Sequence, residues 1–337
     1  MDILARVPSA QAALASRPAP RRVHVTGAEG NLGSRVLVLL DANPTLGPGS
    51  ATASDVVVHL GAGDHDLRAR RRESVTEGAA AMLHDATVGG ATHVVLVSSA
   101  LVYGAYANNP IPLTEDAVLR PDVEFVYARQ LATVEAMADR WRRSAPGRTV
   151  TVLRPAVAMA ADGTSSLARA LAAGLGQRFG EVDPPAQFLH LDDLASAVAL
   201  AVDQRLDGVY NVAPDGWIAG ERVRALTGSR PRVRLPDRVN EVLGRVRWRF
   251  QRGPIPPGLR SYTRAPWLVA NDRLKAHGWR PTVTNEQAYV EGTEAPWRTM
   301  ITPKRRQELS LGAMVVAAFG VAAGTFALVR HWRRRHR

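Results

Sequence analysis

The chain has 337 residues, no cysteine and a formal net charge of +12 at pH 7. Its length allows one large α/β domain, or a nucleotide-binding domain with a small appendage. The lack of cysteine excludes disulfide frameworks, thiolate metal sites and cysteine nucleophiles. Arginine carries almost all of the positive charge, which suits anionic partners such as nucleotides, sugar phosphates or acidic lipid headgroups. Because the arginines are spread along the chain without interleaved aromatic residues, we do not expect nucleic acid to be a partner.

A glycine-rich turn follows the N-terminal segment. Residues 1–20, rich in Ala, Ser, Arg and Pro, are predicted to be a disordered extension without a signal-peptide core. An apolar run then leads into Gly27, Gly30 and Gly33, and on into an apolar helical segment. Glycines at this spacing allow a tight turn, the close approach of a pyrophosphate and helix–strand packing, while the helix N-terminus attracts phosphate. The sequence therefore predicts a nucleotide site; the alternative is an ordinary glycine-rich turn.

Further strands and helices alternate along the chain. Apolar strands are predicted at residues 55–63, 93–97 and 149–155, and a helix is predicted at about 74–86. Strands that are apolar on both faces and alternate with helices form parallel sheets covered on both sides. We therefore expect an α/β fold with a Rossmann-like, doubly wound parallel sheet.

Eight short motifs follow one another between residues 22 and 290. They are TGAEGNLG, DVVVHLGAG, VVLVSSALVYG, PLTEDAVLRP, YARQLATVE, TVLRPAV, FLHLDDLASAVALAV and GVYNVAPDG. The series resembles extended short-chain dehydrogenase/reductases of the NAD-dependent epimerase/dehydratase type. This resemblance implies a Rossmann-like core over residues 21–207 that binds NAD or NADP. It also implies a small C-terminal region over residues 208–298, interleaved with the core, for a small-molecule substrate such as a sugar nucleotide or a hydrophobic alcohol or ketone.

The resemblance also implies roles for individual residues. Tyr127 would exchange a proton with the substrate oxygen, and Ser99 would hydrogen-bond that oxygen, while hydride moves between nicotinamide and carbon. The residues implied to bind the cofactor are Gly27, Gly30, Asn31, Leu32, Gly33, Leu60, Gly61, Ala62 and Pro155. The alternative interpretations are a packed helix tyrosine for Tyr127 and a hydroxyl that caps the next turn for Ser99.

One departure from the family concerns the acid/base group. The family places a lysine four residues after the tyrosine, on the same helix face, where its charge lowers the phenol pKa. Here that position is Leu131, so we expect the pKa of Tyr127 to stay near the reference value of about 10. This substitution motivates an alternative hypothesis, a non-catalytic nucleotide- or metabolite-binding module descended from the family. A smaller departure is Ser74, where the family usually has asparagine.

A second departure is a deletion. Relatives place a second strand, and a further strand–helix pair, after the first helix. Here about a dozen turn-forming residues separate Asn43 from Asp55, which is too few for that unit. We therefore expect the sheet to be truncated at this β2/β3 edge of the family fold. Asp41 comes too early to read the adenosine ribose, so the choice between NAD and NADP stays open.

Two later segments have weaker signals. Residues 160–186, rich in Ala and Gly, are predicted to form a flexible, helix-containing flap. His190, Asp192 and Asp193 could suggest a metal site, but the spacing offers no second histidine. We expect an aspartate here to cap a helix instead, and no metal cofactor.

The C-terminal segment predicts a membrane anchor. Residues 309–329 form a run of 21 residues without a charge, long enough to cross a hydrocarbon core of about 30 Å as a helix. The alternative is a buried helix of a soluble protein. Gly320 and Gly324 form a Gly-x-x-x-Gly pair that would allow two such helices to associate as a homodimer. A basic tail follows at residues 330–337.

The expected location is the membrane, through a single-pass anchor with the soluble domain in the cytoplasm. Basic residues flank the span on both sides, so the orientation of the tail stays open. The chain is also densely basic between Arg222 and Arg264, which indicates either a solvated face or a membrane-facing patch. The anchor and this patch together motivate a third hypothesis, a membrane-surface reductase of hydrophobic substrates.

Overall fold

The structure is a computed structural model that describes residues 19–61, 75–175, 183–227 and 257–293. The chain divides into two compact units, Met1–Thr293 and Glu294–Arg337, and every described residue belongs to the first. The predicted membrane span and basic tail, and most of the predicted N-terminal extension, lie outside the described residues. Across the described ranges, every helix is too short or too polar to cross a bilayer.

Six parallel strands form the central sheet, in the order β2-β1-β3-β4-β5-β8. Their bounds are β1 Arg21–Thr26, β2 Leu46–Pro48, β3 Val56–His59, β4 His93–Val97, β5 Thr149–Pro155 and β8 Gly208–Val212. A separate parallel pair consists of β6 (Val157–Met159) and β7 (Phe188–His190). Every residue of β4 is buried, as expected for a strand covered on both faces. The predicted parallel sheet is confirmed.

The described residues contain eight α-helices. They are α1 Asn31–Asp41, α2 Val75–Val88, α3 Val126–Arg143, α4 Ser166–Gly174, α5 Leu191–Gln204, α6 Gly220–Thr227, α7 Asp272–Ala276 and α8 Asn285–Thr293. Short 3₁₀ segments lie at Ala100–Tyr103, Pro257–Leu259 and Ser261–Thr263. Adjacent strand residues alternate between two clusters: Val58 packs with α1 and α5, and Val57 packs with α2 and α3. The sheet is therefore doubly wound, as predicted.

The edge predicted to be missing retains one short strand. Leu46–Pro48 pairs in parallel with β1, where only turns were expected. The backbone of β1 explains the difference, because its edge groups need partners: the N–H of Arg21 donates to Thr45 O at 2.9 Å, and the N–H of Gly49 donates to Val23 O at 2.8 Å. Within the described ranges no strand lies outside β2, so the sheet is still truncated there.

Strand β2 covers only the first half of β1. Its last residue, Pro48, pairs with Val23, whereas β1 continues to Thr26. The chain then crosses to β3, on the other side of β1, through residues 49–55 without a helix. A Cβ on Gly49 would lie 3.0 Å from the carbonyl carbon of Val23, so the connecting segment packs closely against the backbone of β1. Consequently β2 does not reach the carboxyl edge of the sheet.

A second core lies beside the carboxyl end of β5 and joins α4, β6 and β7 to the C-terminal described residues. The rings of Phe188 and Tyr289 lie 4.7 Å apart in this core. Asp193, at the start of α5, accepts hydrogen bonds from the backbone N–H groups of Thr282 at 2.9 Å and Val283 at 3.1 Å. The C-terminal region is therefore attached to the sheet, and the helix predicted within 160–186 is α4.

Candidate functional site

The glycine-rich turn joins β1 to α1. Gly27 has a backbone φ of +76°, a conformation that favours glycine. Gly33 is buried, and a Cβ there would lie 2.2 Å from the carbonyl oxygen of Ala28, so only glycine lets α1 pack on the turn. Gly30 is the exposed N-cap of α1, and a Cβ there would meet nothing within 4 Å. The open side of the turn is therefore at Gly30.

The start of α1 can accept an anion at that open side. Within the described residues, no side chain caps the helix at Gly30. The first N–H groups of a helix have no intrahelical partner, and the helix dipole adds positive potential, so both favour a phosphate. Leu32 is half-buried against the core and anchors the turn. The turn thus has the shape and the donors that a pyrophosphate requires.

The end of β3 packs against this turn. Gly61 has a φ of +78°, and a Cβ on Gly27 would lie 3.0 Å from the carbonyl oxygen of Gly61. Leu60 is 8% exposed and its side chain packs in the core, so only its backbone can face a ligand. Ala62 lies outside the described residues.

A loop after β6 closes over the first turns of α1. The Asn31 side-chain amide donates to the backbone carbonyl of Asp162. Arg35 donates to the Asp162 carboxylate at 2.7 Å and to the Asp192 carboxylate at 2.5 Å. The hydrogen bond from Arg35 lowers the pKa of the Asp162 carboxyl below its usual range. The side chain of Asn31 is therefore engaged by the protein, which leaves its backbone N–H to face a cofactor.

The two residues expected to act on the substrate lie on elements that pack together. Ser99 follows β4 and caps the 3₁₀ segment, where its Oγ accepts from the N–H of Leu101 at 3.2 Å. Tyr127 lies in the first turn of α3, half-buried, with its ring 5.9 Å from that of Phe125. Helix α3 packs against the 3₁₀ segment. A hydroxyl that accepts a capping bond keeps its own hydrogen to donate, so the cap leaves Ser99 able to bind a substrate oxygen.

The position one turn after Tyr127 carries no charge. Leu131 is 2% exposed and continues the buried face of α3. Burial raises the pKa of the Tyr127 hydroxyl above its usual value, so the expectation of a pKa near 10 is wrong. The phenol is consequently protonated at neutral pH.

An apolar pocket opens beside the end of β5. Its interior has a volume of about 10 Å³, room for about one water molecule. Pro155, the buried last residue of β5, leads directly into its wall. Six of the residues that line it are Ala156, Leu171, Ala186, Phe188, Tyr262 and Trp267. The pocket therefore lies on the same side of the sheet as the carboxyl end of β5.

Comparison with known proteins finds a family that this chain resembles. The model of the NAD dependent epimerase/dehydratase family matches residues 48–213. That stretch is just under half of the chain, and it begins after the glycine-rich turn.

Two solved structures share the fold of this chain. UDP-glucose 4-epimerase of Thermus thermophilus, in complex with NAD, is 19% identical with a TM-score of 0.55, covering 80% of this chain and 97% of that one. RMD from Pseudomonas aeruginosa, complexed with NADPH, is 20% identical with a TM-score of 0.54, covering 80% and 97%. Likeness at these identities establishes the fold alone.

Curated relatives are also distant. An uncharacterized protein of Mycobacterium tuberculosis is 27% identical over 175 residues, which is 48% of this chain and 44% of the relative. The chain therefore matches less than half the length of that relative. A 3-diazoavenalumate denitrifying reductase of a Streptomyces species is 29% identical over 264 residues, which is 72% of this chain and 81% of the relative.

The structure also contains a buried polar network that the sequence motifs do not indicate. Arg154, just before Pro155, is 5% exposed and donates to Glu135 on α3 at 2.6 Å. Glu135 also accepts from Ser98 Oγ at 2.5 Å, and Arg154 donates to the Tyr103 hydroxyl at 2.8 Å. The network thus fixes the ends of β4 and β5 on either side of the 3₁₀ segment that Ser99 caps.

A sequence signal for this network did exist. Arg154 is a lone charge in an otherwise apolar strand, and a buried charge needs a partner. Glu135 lies two helical turns after Tyr127 and is the buried acid of α3. Nothing in the sequence pairs two residues 19 positions apart, so only the packing of α3 on β5 identifies the partner.

The residue that caps α5 differs from the predicted aspartate. His190, the last residue of β7, caps α5, because its Nδ1 accepts from the N–H of Asp192 at 3.2 Å. Asp193 is 1% exposed and binds the C-terminal region instead, so the prediction of an aspartate cap is wrong. Over the described residues, no group of three metal-binding side chains comes together.

Proposed function

We propose that this chain is an NAD(P)-dependent oxidoreductase of the reductase, epimerase or dehydratase type. It acts on a carbonyl or carbinol carbon of a small molecule, with Tyr127 as acid/base and Ser99 as ligand of the reacting oxygen. The observation that carries the proposal is the glycine turn, whose open side meets uncapped helix N–H groups at the sheet edge. The family match and the neighbours in complex with NAD and NADPH support it.

The residues of the turn fit the pyrophosphate of a nicotinamide dinucleotide. Gly33 is required for packing, whereas Gly30 leaves room for a phosphate beside its Cα. When bound, the reduced cofactor supplies a hydride to the carbonyl carbon and is left oxidised. Strand β2 stops short of the carboxyl edge, so it offers no side chain to read the adenosine ribose. The proposal therefore covers both NAD and NADP.

The raised pKa of Tyr127 favours proton donation. A phenol that stays protonated at neutral pH can give its proton to the oxygen of a carbonyl, which becomes an alcohol. The tyrosinate that remains takes a proton from water. The reverse role, as a base that oxidises an alcohol, needs a tyrosinate that is scarce at neutral pH. We therefore assign reduction as the preferred direction, and the reductase among the relatives supports it.

The proposal is tested with the purified full chain. Calorimetric titration with NADH and NADPH should show binding. Carbonyl substrates should then cause oxidation of the bound cofactor, which is measured as a loss of nicotinamide absorbance. Tyr127→Phe removes the proton and should abolish turnover without weakening cofactor binding. Ser99→Ala removes the oxygen ligand and should slow turnover by about 10²-fold or more. Absence of binding of both dinucleotides at millimolar concentration would refute the proposal.

The second candidate function is the non-catalytic binding module. It is favoured by Leu131, which is buried and cannot lower the pKa of the phenol or hold a ribose. Leu131→Lys separates the two hypotheses. A large gain in rate from near zero would support a module that has lost its chemistry, whereas good turnover with Leu131 in place would contradict it.

We also propose that residues 309–329 tether the protein to a membrane with the domain in the cytoplasm. The support is the uncharged run of 21 residues and the basic segments on both sides. Association of two anchors through Gly320 and Gly324 would make a homodimer. Protease treatment of sealed vesicles tests the location: a domain that is protected inside right-side-out vesicles supports it, and a domain that is cleaved contradicts it.

A further inference from the structure

We propose that the buried hydrogen bond between Ser98 and Glu135 is a positioning link for the proposed reaction. Ser98 precedes Ser99 in the chain, and Glu135 lies on α3, the helix that carries Tyr127. The link thereby sets where Ser99 lies relative to Tyr127. This inference rests on the proposed function for the roles of those two residues, but it is argued from contacts that are independent of any ligand.

The contact between Ser98 and Glu135 is short and shielded from water. The Ser98 hydroxyl donates to Glu135 Oε1 at 2.5 Å, and both residues are buried. A hydrogen bond to a carboxylate is stronger than one between neutral groups, and in a buried site no water competes for it. The N–H of Ser98 also donates to Leu153 O on β5 at 2.8 Å. Both the backbone and the side chain of Ser98 are therefore held, which limits the positions open to Ser99.

Arg154 fixes the other end of the link. Its Nε donates to both carboxylate oxygens of Glu135 at 3.2 Å, and its Nη2 donates to Oε2 at 2.6 Å. A guanidinium that binds both oxygens keeps the carboxylate from rotating. Glu135 consequently cannot turn to follow Ser98, so the end of β4 and the helix α3 are held at one separation.

The same arginine holds the far end of the 3₁₀ segment that Ser99 caps. Arg154 Nη1 donates to the hydroxyl of Tyr103, the last residue of that segment, at 2.8 Å. The Tyr103 hydroxyl in turn donates to Asn211 Oδ1 on β8 at 2.8 Å. The segment is thus tied at both ends to one buried network, and Ser99 cannot move toward or away from α3 without breaking a buried hydrogen bond.

Helix α3 carries this constraint to Tyr127. Glu135 lies eight residues after Tyr127, about 12 Å along the helix axis. The helix Val126–Arg143 contains neither glycine nor proline, the usual causes of a kink, so it moves as one body. A shift at Glu135 is therefore passed on to Tyr127. The rate of a reaction is sensitive to such shifts, because a misplacement of about 1 Å can slow it by about 10²-fold.

The types of residue in the link favour positioning over simple packing. Apolar side chains of similar volume would hold a helix on a sheet about as well as a buried ion pair does. Hydrogen bonds to a fixed carboxylate add a preferred distance and angle, which apolar contacts do not supply. The Ser98–Glu135–Arg154 group thus specifies one arrangement of the two elements.

Fluorine NMR tests the link without a substrate. The full chain is labelled with 3-fluorotyrosine, and Tyr127→Phe identifies the resonance of that ring. Ser98→Ala removes the link but keeps the pair of Glu135 with Arg154, and we expect it to shift or broaden the Tyr127 resonance. The matched control is Thr151→Val, which removes a buried hydroxyl that donates to Leu206 O in the amino-terminal half of β5. This control should leave the Tyr127 resonance unchanged.

Turnover gives a second measurement. With a carbonyl compound that the wild type reduces, Ser98→Ala should lower kcat by about tenfold. KM and the affinity for NADPH should stay within about threefold of the wild type, because the link acts on the position of Ser99 and not on binding. If Ser98→Ala loses its near-UV circular dichroism, Ser98→Cys replaces it, since a thiol is a weaker donor. We expect that variant to shift the resonance in the same way, but less.

An unchanged Tyr127 resonance in a folded Ser98→Ala variant would overturn the inference, and so would a wild-type kcat. The proposed function fails separately. If neither dinucleotide binds, the function is refuted, and the resonance alone decides whether the link positions Tyr127. A wild-type kcat with a shifted resonance would keep the function and refute the link as a determinant of the reaction.

Discussion

Alanine at Gly33 and alanine at Gly30 should have different consequences, although both glycines belong to one turn. A Cβ on Gly33 would lie 2.2 Å from the carbonyl oxygen of Ala28 and 2.4 Å from its carbonyl carbon. These are backbone atoms that cannot swing aside, so α1 must move away from β1. We expect Gly33→Ala to lower the free energy of unfolding by about 1–3 kcal/mol, the usual cost of overpacking.

Gly30→Ala should leave the fold nearly unchanged. The φ of Gly30 is −89°, which alanine adopts readily, and a Cβ there meets nothing within 4 Å. Alanine lowers the entropy of the unfolded chain, which stabilises by about 0.4–1 kcal/mol, but it is a poorer N-cap by a similar amount. The two effects offset each other, so the net change should be within about 1 kcal/mol.

Gly30→Ala should weaken cofactor binding although it leaves the stability nearly unchanged. If the pyrophosphate lies at the open side of the turn, the added methyl group occupies its place, and affinity for NADPH should fall by about tenfold or more. Urea unfolding measures the stability of both variants, and calorimetry measures NADPH binding. Wild-type stability of Gly33→Ala would refute the packing argument, and wild-type affinity of Gly30→Ala would refute the location of the phosphate site.

Three other predictions concern buried charge and protonation. Glu135→Gln leaves Arg154 buried without its counter-charge and should lower the free energy of unfolding, measured in urea, by about 3–5 kcal/mol. The double variant Glu135→Leu/Arg154→Met should lose less. A loss below about 1 kcal/mol for Glu135→Gln would contradict the pairing. Burial lowers the pKa of His93 to about 4, below the unfolded value of about 6.5, so the unfolded chain binds this proton more tightly. Stability should therefore fall by about 2–3 kcal/mol between pH 7 and pH 4.5, and a profile equally steep in His93→Gln would contradict this. Finally, the raised pKa of Tyr127 predicts that the rate of alcohol oxidation rises with pH up to about pH 10. The rate of ketone reduction should be constant between about pH 6 and 9. A fall in the reduction rate within that range would contradict the raised pKa.

Much of the fold could be predicted because its signals are local. The strands at 93–97 and 149–155 are continuous apolar runs, and such runs form central strands wherever both faces are covered. The glycine turn was predictable for the same reason, since the φ of Gly27 and the packing of Gly33 depend on atoms a few residues away. The short edge strand was missed because its turn-forming residues pair only when β1 presents unpaired backbone groups.

The candidate site was predicted less completely. The order of the motifs indicated Ser99 and Tyr127, but it could not show that burial raises the pKa of the phenol, because that depends on what packs around the ring. His190 caps α5 in place of an aspartate because β7 ends one residue before the helix begins, a boundary that hydrophobicity does not mark.

The sequence by itself determined the alternation of strands and helices, the nucleotide turn and the loss of the family lysine, because each depends on residues that are neighbours in the chain. Only the tertiary structure decided the partner of Arg154, the reach of β2 and the apolar wall built from α4, β7 and the 3₁₀ segment at Ser261–Thr263. Those features join residues far apart in sequence, and their energies depend on burial and on distances that exist only after the chain has folded.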